Sequence, residues 1–98
     1  MNLNTPLEVA KNIAKQAQLK RLSLNLSQKS VAERSGVSLS SLKIFERTGK
    51  ISLESILKIA LVLGSLEEFE PLFREDAAKM PNSLDELLKN NLRKRGRK

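Results

Sequence analysis

The chain has 98 residues and a formal net charge of +7; 40% of its residues are hydrophobic and only three are aromatic. A chain of this length forms one small domain with a short extension. It contains no Cys and no His, which excludes disulfides, thiolate or imidazole metal sites and imidazole general bases. We therefore expect a protein that is not an enzyme and that needs no cofactor.

The positive charge is unevenly distributed along the sequence. Residues 1–52 carry nine Lys or Arg against three Glu, residues 53–92 carry four against eight Asp or Glu, and residues 93–98 carry five basic residues and no acidic one. This distribution favours a phosphate-facing surface, although charge alone fits a soluble surface with a basic end equally well. A signal-peptide pattern and a long apolar run are both missing from the sequence, so we expect a soluble cytoplasmic protein without a membrane partner.

Capping residues divide the first two thirds of the sequence into four predicted helices. Thr5 is a predicted N-cap before a first-turn proline, and Ser27, Ser38 and Ser52 are predicted N-caps of the next three helices. Gly36 stands at a helix stop, where a left-handed backbone favours glycine. The predicted helices span residues 6–22, 28–35, 39–47 and 53–63.

Apolar residues at helical spacing give each predicted helix an inward face. In the third helix we expect Leu42, Phe45 and Ile44 to point inward. The inward residues expected elsewhere are Leu7, Ala10, Ile13, Ala14, Ala17 and Leu22 in the first helix, Val31 and Ala32 in the second, and Leu53, Ile56, Leu57, Ala60, Leu61 and Leu63 in the fourth.

The remainder of the sequence predicts two further short helices and a basic tail. The Ser-x-x-Glu spacing of a capping box begins at Ser65 and predicts a fifth helix through Phe73, with Pro71 placed to shorten or kink it. The same spacing recurs at Ser83 and predicts a last short helix. Residues 93–98 bury nothing and are expected to be disordered.

The second and third predicted helices have the arrangement of a helix-turn-helix. A Gly-containing turn of three to four residues separates them, which is the signature of that motif. The residues that carry it are Arg21, Gln28, Ala32, Gly36, Val37, Ser38, Leu42, Phe45, Glu46 and Arg47. Together with the helix over 53–63, they make the region 10–64 similar to the lambda-repressor/Cro-type (XRE) family of DNA-binding domains.

The resemblance implies an all-α, five-helix DNA-binding fold that binds duplex operator DNA as a symmetric homodimer. On that basis the chain divides into a helix-turn-helix domain over 6–73, a connector with a short C-terminal helix over 74–92, and a basic tail over 93–98. The expected function is a sequence-specific transcription regulator, most simply a dimeric repressor that reads the major groove with the helix at about 39–47.

The resemblance also implies structural roles for three polar residues. Gln28 matches the position that bonds a DNA phosphate and braces the recognition helix. Arg21 and Glu46 match a structural ion pair, in which arginine forms a two-pronged contact with a carboxylate. Such a pair ties the first helix to the third.

The start of the third helix supplies the candidate readers of DNA. Leu39 stands where the family commonly has a polar or basic residue, so it is expected to contact a thymine methyl or no base at all. Ser40 and Ser41 are candidate donors to bases or phosphates, and Lys43 is expected to reach guanine or the backbone. The full set of candidate DNA-binding residues is Gln28, Ser38, Leu39, Ser40, Ser41, Lys43, Arg47 and Lys50, the last two as phosphate contacts.

Three features leave more than one interpretation open. The apolar cluster over 66–73 fits either completion of the monomer core or a dimer interface. The basic tail fits phosphate or minor-groove contacts, or only a salt-sensitive, non-specific affinity. The stretches over 45–50 and 66–73 also resemble HipB-like antitoxins. That resemblance implies a second function, an antitoxin that autorepresses its promoter and binds a toxin protein through acidic residues 67–76.

Overall fold

The computed structural model describes residues 5–75, which form four α-helices and one short 3-10 turn, without a strand in that part of the chain. The helices are α1 (Pro6–Ser23), α2 (Gln28–Ser35), α3 (Leu39–Thr48) and α4 (Leu53–Leu63), and the 3-10 turn is Leu66–Glu68. The all-α prediction is confirmed for these residues. The predicted last helix over 83–92 and the basic tail over 93–98 lie outside the described residues.

Side-chain caps start all four helices at the predicted residues. Thr5, Ser27, Ser38 and Ser52 each have an extended backbone, and each side chain accepts a hydrogen bond from the backbone N–H three residues later. At α1 the cap is reciprocal, because the Thr5 N–H donates to Glu8 Oε1 at 2.9 Å. These contacts satisfy N–H groups that have no partner inside a helix.

The hydrophobic core lies where the four helices meet. α1 packs against α3 and α4, and α2 packs against the same two helices. Leu42 and Phe45 of α3 are almost completely buried, so α3 is fixed by its inner face. The buried apolar residues are Ala14, Val31, Ala32, Val37, Leu42, Phe45, Ile59, Ala60 and Leu63.

Several residues predicted to face inward are exposed instead. Ile44 on α3 is 43% exposed, and Leu53 and Leu61 on α4 are 68% and 64% exposed. α4 buries Ile59, which the prediction omitted, together with Ala60. Each residue turns the helix by about 100°, so Leu61 lies on the side of α4 opposite its buried residues, and Leu53 lies at the edge of the buried side in the first turn. On α1, Leu7, Ile13 and Leu22 are exposed, Ala10 and Ala17 are half-buried, and Ala14 is buried.

The predicted five-helix fold is wrong in its fifth helix. After α4 the described residues contain only the 3-10 turn, and the Ser65 side chain makes no cap hydrogen bond. Ser65 closes α4 instead, because its N–H donates to the Ala60 carbonyl at 2.8 Å, beyond the left-handed Gly64. Its backbone therefore lacks the extended conformation of an N-cap, and Pro71 has no N–H with which to continue a helix.

Candidate nucleic-acid interface

A three-residue turn over 36–38 joins α2 to α3. Gly36 adopts a left-handed backbone with φ +80°, and its N–H donates to the Ala32 carbonyl at 2.9 Å. Val37 is buried in the core and Ser38 caps α3. The turn is therefore attached to the core at its middle residue, and it holds the two helices as a helix-turn-helix.

One exposed stripe runs along α3. Ser40, Lys43, Ile44 and Arg47 are all exposed, and their spacings of three and four residues put them on the same side of the helix. The buried residues of α3 occupy the opposite side. An α-helix fits the major groove of DNA. This stripe would present a hydroxyl, an apolar side chain and two cations to base edges and phosphates.

Ile44 is the member of this stripe that the sequence-based prediction missed. It was assigned to the core because it lies among the apolar residues of α3, yet its side chain is exposed between Lys43 and Arg47. The signal that identifies it is its spacing of four residues from Ser40 and three from Arg47. An isoleucine side chain offers no hydrogen bond, and its natural contact on DNA is the C5-methyl group of thymine.

The hydroxyl groups of three serines cluster at the start of α3. Ser38 Oγ accepts from the Ser41 N–H at 3.1 Å and donates to Ser41 Oγ at 2.9 Å, so Ser38 is used chiefly to hold the helix end. Ser40 Oγ lies 3.3 Å from Ser38 Oγ. Because a hydroxyl that accepts a hydrogen bond keeps its own proton for donation, Ser41 remains able to donate to a ligand.

Leu39 has a structural reason to be apolar. It is half-buried and packs against the hydrophobic core, in a shallow depression that also contains Ala32, Gly36 and Val37. Part of its side chain therefore supports the turn between α2 and α3. Only the remaining exposed part is available to contact a thymine methyl.

A buried polar network joins α1, α2 and α3, and it confirms the predicted ion pair. Arg21 Nε donates to Glu46 Oε2 at 2.8 Å, and Arg21 Nη2 donates to Glu46 Oε1 at 3.1 Å. The two side chains are only 9% and 5% exposed. Arg21 Nη1 donates to the Leu26 carbonyl at 2.9 Å, and Gln28 Nε2 donates to Glu46 Oε1 at 2.9 Å. The network fixes the angle of α3 relative to the two helices before it.

Gln28 therefore braces α3, as the family resemblance implied. Its amide nitrogen carries two N–H donors, and one of them bonds Glu46. Among residues 5–75 the second N–H makes no hydrogen bond. It is available to a phosphate at the start of α2, where the helix dipole also favours negative charge.

Two further candidate contacts lie at the end of α3. Arg47 is exposed in the last turn of the helix and Lys50 is exposed beyond it. The Lys50 N–H donates to Thr48 Oγ1 at 3.1 Å, which orders the backbone there. Within residues 5–75 neither cationic side chain takes part in an ion pair, so both charges are available to an anionic partner.

Two other features, a metal-binding cluster and a membrane-spanning helix, are not found in the described part of the chain. Between residues 5 and 75, no group of three or more acidic side chains is arranged to hold a metal ion. None of the helices found there is both long and apolar enough to cross a membrane.

Comparison with protein families gives a match centred on this interface. The family model described as helix-turn-helix matches residues 18–69. The matched range contains α2, the turn, α3 and α4 together with the end of α1, and it covers more than half of the chain. No curated protein matches the chain.

Proposed function

The chain belongs to the lambda-repressor/Cro-type (XRE) helix-turn-helix family of DNA-binding transcription regulators, and we propose that it is a dimeric repressor that reads a specific duplex sequence with α3. The observation that carries this proposal is the exposed stripe of Ser40, Lys43, Ile44 and Arg47. The other side of α3 is held by the core and by the buried network. A rigidly held helix presents its side chains to the major groove in one defined register.

The candidate contacts divide into positioning and reading groups. Gln28, Arg47 and Lys50 are proposed to bind phosphates, which set the orientation of the domain but do not distinguish sequences. Ser40, Ser41, Lys43 and Ile44 are proposed to meet base edges, with a minor contribution from the exposed part of Leu39. Ser38 contributes by holding the start of the helix.

Selection of binding sites from random duplex DNA tests this function. Since a two-fold dimer reads two inverted half-sites, we expect an enriched palindrome whose half-site centres lie about 34–36 Å apart or a multiple of that spacing. Sedimentation of the protein with the selected duplex is expected to give two chains per site. Failure to enrich any sequence, or enrichment of isolated half-sites bound by one chain, would contradict the proposal.

Ile44 is expected to recognise a thymine methyl group. Replacing the contacted thymine by uracil removes that methyl and should weaken binding of the unchanged protein by about 1 kcal/mol, since a buried CH₂ is worth ~0.8 kcal/mol. The Ile44→Ala protein should bind both duplexes with similar affinity. The measurement is a double-mutant cycle of dissociation constants, and additive losses would contradict the contact.

The basic tail is expected to act through phosphates. Deleting residues 93–98 removes five positive charges, so log Kd should depend less steeply on log salt concentration, by about 0.9 for every phosphate that the tail neutralises. The preference for the selected site over random DNA should be unchanged. An unaltered salt slope would show that the tail is a solvated end without a role in binding.

A second function, that of an antitoxin, is favoured by the surface after α4. Phe73 is fully exposed there, and Glu67, Glu68 and Glu70 are exposed in the residues just before it, which gives an apolar anchor next to an acidic stretch. The test is co-expression with the product of the adjoining gene. A complex that forms with the unchanged chain and is lost with Phe73→Asp would support this function, and the absence of any complex would oppose it.

A further inference from the structure

An apolar groove lies on a side of the domain that α3 does not line. It is a half-open cavity of about 630 Å³ between α1, α4 and the segment that follows α4. No residue of the α3 stripe contributes to it. Its main apolar lining consists of Ile13, Ala17, Ile56, Leu63, Phe69 and Leu72.

The segment after α4 forms one wall of the groove and leaves it half open. The 3-10 turn that follows α4 contributes Glu68 to this wall, and Phe69 and Leu72 beyond the turn also line it. Ile13 and Leu72 remain 38% and 55% exposed beside it. A contiguous apolar surface of this kind is unfavourable in water and is typical of a binding surface.

We propose that residues 83–92 of the same chain dock in this groove as an amphipathic helix. Leu84, Leu87, Leu88 and Leu92 recur at spacings that put them on one face of a helix, together with Asn91, while the charged residues and Asn90 lie away from that face. The Ser-x-x-Glu spacing that begins at Ser83 supplies a helix start. A leucine face of this length matches a groove with aliphatic walls.

The length of the connection favours the chain's own segment over a second copy. Leu72 lines the groove, and residues 76–82 are the seven residues that separate Glu75 from Ser83. Seven extended residues span roughly 25 Å, about the length of an 18-residue helix such as α1. A tether this short gives an effective concentration on the order of millimolar.

Charge is also complementary at the edges of the groove. Lys20 and Glu68 contribute to its lining and are both exposed. The docking segment carries Asp85 and Glu86 in its first turn and Lys89 one turn later along the helix. Opposite charges at the rim set the direction in which a helix lies more than they add to its affinity. Docking would also fix the start of the basic tail to the domain surface.

A spin label tests the docking directly in the full chain. Because the chain has no cysteine, a nitroxide on Lys89→Cys reports from one position only. We expect the methyl resonances of Ile13, Ile56 and Leu63 to broaden severalfold more than those of Val37. The measurement does not require DNA, so its failure would leave the proposed function untouched.

Matched variants and a mixed sample separate the outcomes. In the labelled chain, Leu88→Asp should lower the ratio of docked to undocked segment about tenfold or more, while Asn90→Asp on the opposite helix face should leave it unchanged. Mixing spin-labelled chains with isotope-labelled, unmodified chains should not broaden the groove resonances of the unmodified chains. The proposal would be overturned by uniform broadening or by equal effects of the two aspartates. It would also be overturned by broadening of the groove resonances confined to the mixed sample, because that result would identify a second copy as the occupant.

Discussion

Replacing Arg21 with alanine is expected to lower the free energy of unfolding by about 3–5 kcal/mol. Both carboxylate oxygens of Glu46 accept hydrogen bonds from this guanidinium, and both side chains are nearly buried. The substitution leaves a buried carboxylate whose remaining side-chain partner is Gln28. It also removes the donor to the half-buried Leu26 carbonyl, so two acceptors lose a charged partner at once.

The destabilisation is measured by chemical denaturation followed by far-ultraviolet circular dichroism, since the chain has no Trp or Tyr to report by fluorescence. The matched control is Arg74→Ala, which breaks a 3.1 Å pair with Glu70 whose side chains are 60% and 73% exposed. It should cost less than about 1 kcal/mol. A second control, Arg21→Met with Glu46→Leu, should recover most of the stability. Similar losses for the two arginine variants would contradict the structural role of the network.

Replacing Gly49 with alanine is expected to cost roughly 3 kcal/mol in total. Gly49 has φ +82°, where an alanine is strained by about 1–2 kcal/mol. A Cβ there would also lie 2.8 Å from the Ala10 carbonyl carbon and 2.9 Å from the Lys11 nitrogen. These are backbone atoms of α1, which cannot move aside as a side chain would, so overpacking adds a further ~1–3 kcal/mol.

Gly36 provides the control because it shares the backbone conformation of Gly49 but not its close surroundings. Its φ is +80°, and no atom lies within 4 Å of a Cβ built on it. Gly36→Ala should therefore cost only the backbone strain, about 1–2 kcal/mol. Denaturation midpoints of the two variants compare these costs directly. Equal losses would show that α1 does not approach the end of α3 as closely as the structure has it.

The local parts of the fold were the predictable ones. The cap residues Thr5, Ser27, Ser38 and Ser52 bond to N–H groups three residues away, so the sequence itself contains what starts each helix. The N-cap predicted at Ser65 is wrong because another local hydrogen bond uses the same residue. Its backbone is already used to close α4, and the spacing of a capping box does not reveal that competing use.

Features that depend on how the helices pack could not be read from spacing alone. Ile44 and Ile59 each have an apolar residue beside them in the sequence, yet Ile44 is exposed and Ile59 is buried. The choice depends on which side of each helix its neighbours cover. The contact between Arg21 and Glu46 spans 25 residues, and it was predicted only through the family resemblance. The exposed polar residues of the α3 stripe are among those that the sequence predicted to contact DNA, which stays a prediction, whereas Ile44 was assigned to the core.

The affinity of Lys43→Ala for its selected site and for random duplex DNA tests most directly whether α3 reads bases. Lys43 is exposed on the α3 stripe, and a base contact is worth about 1–3 kcal/mol. We expect a loss of that size on the selected site and a smaller loss on random DNA, whereas Lys58→Ala on α4 should weaken both equally and slightly. Equal losses for Lys43→Ala on both duplexes would contradict base reading by this residue.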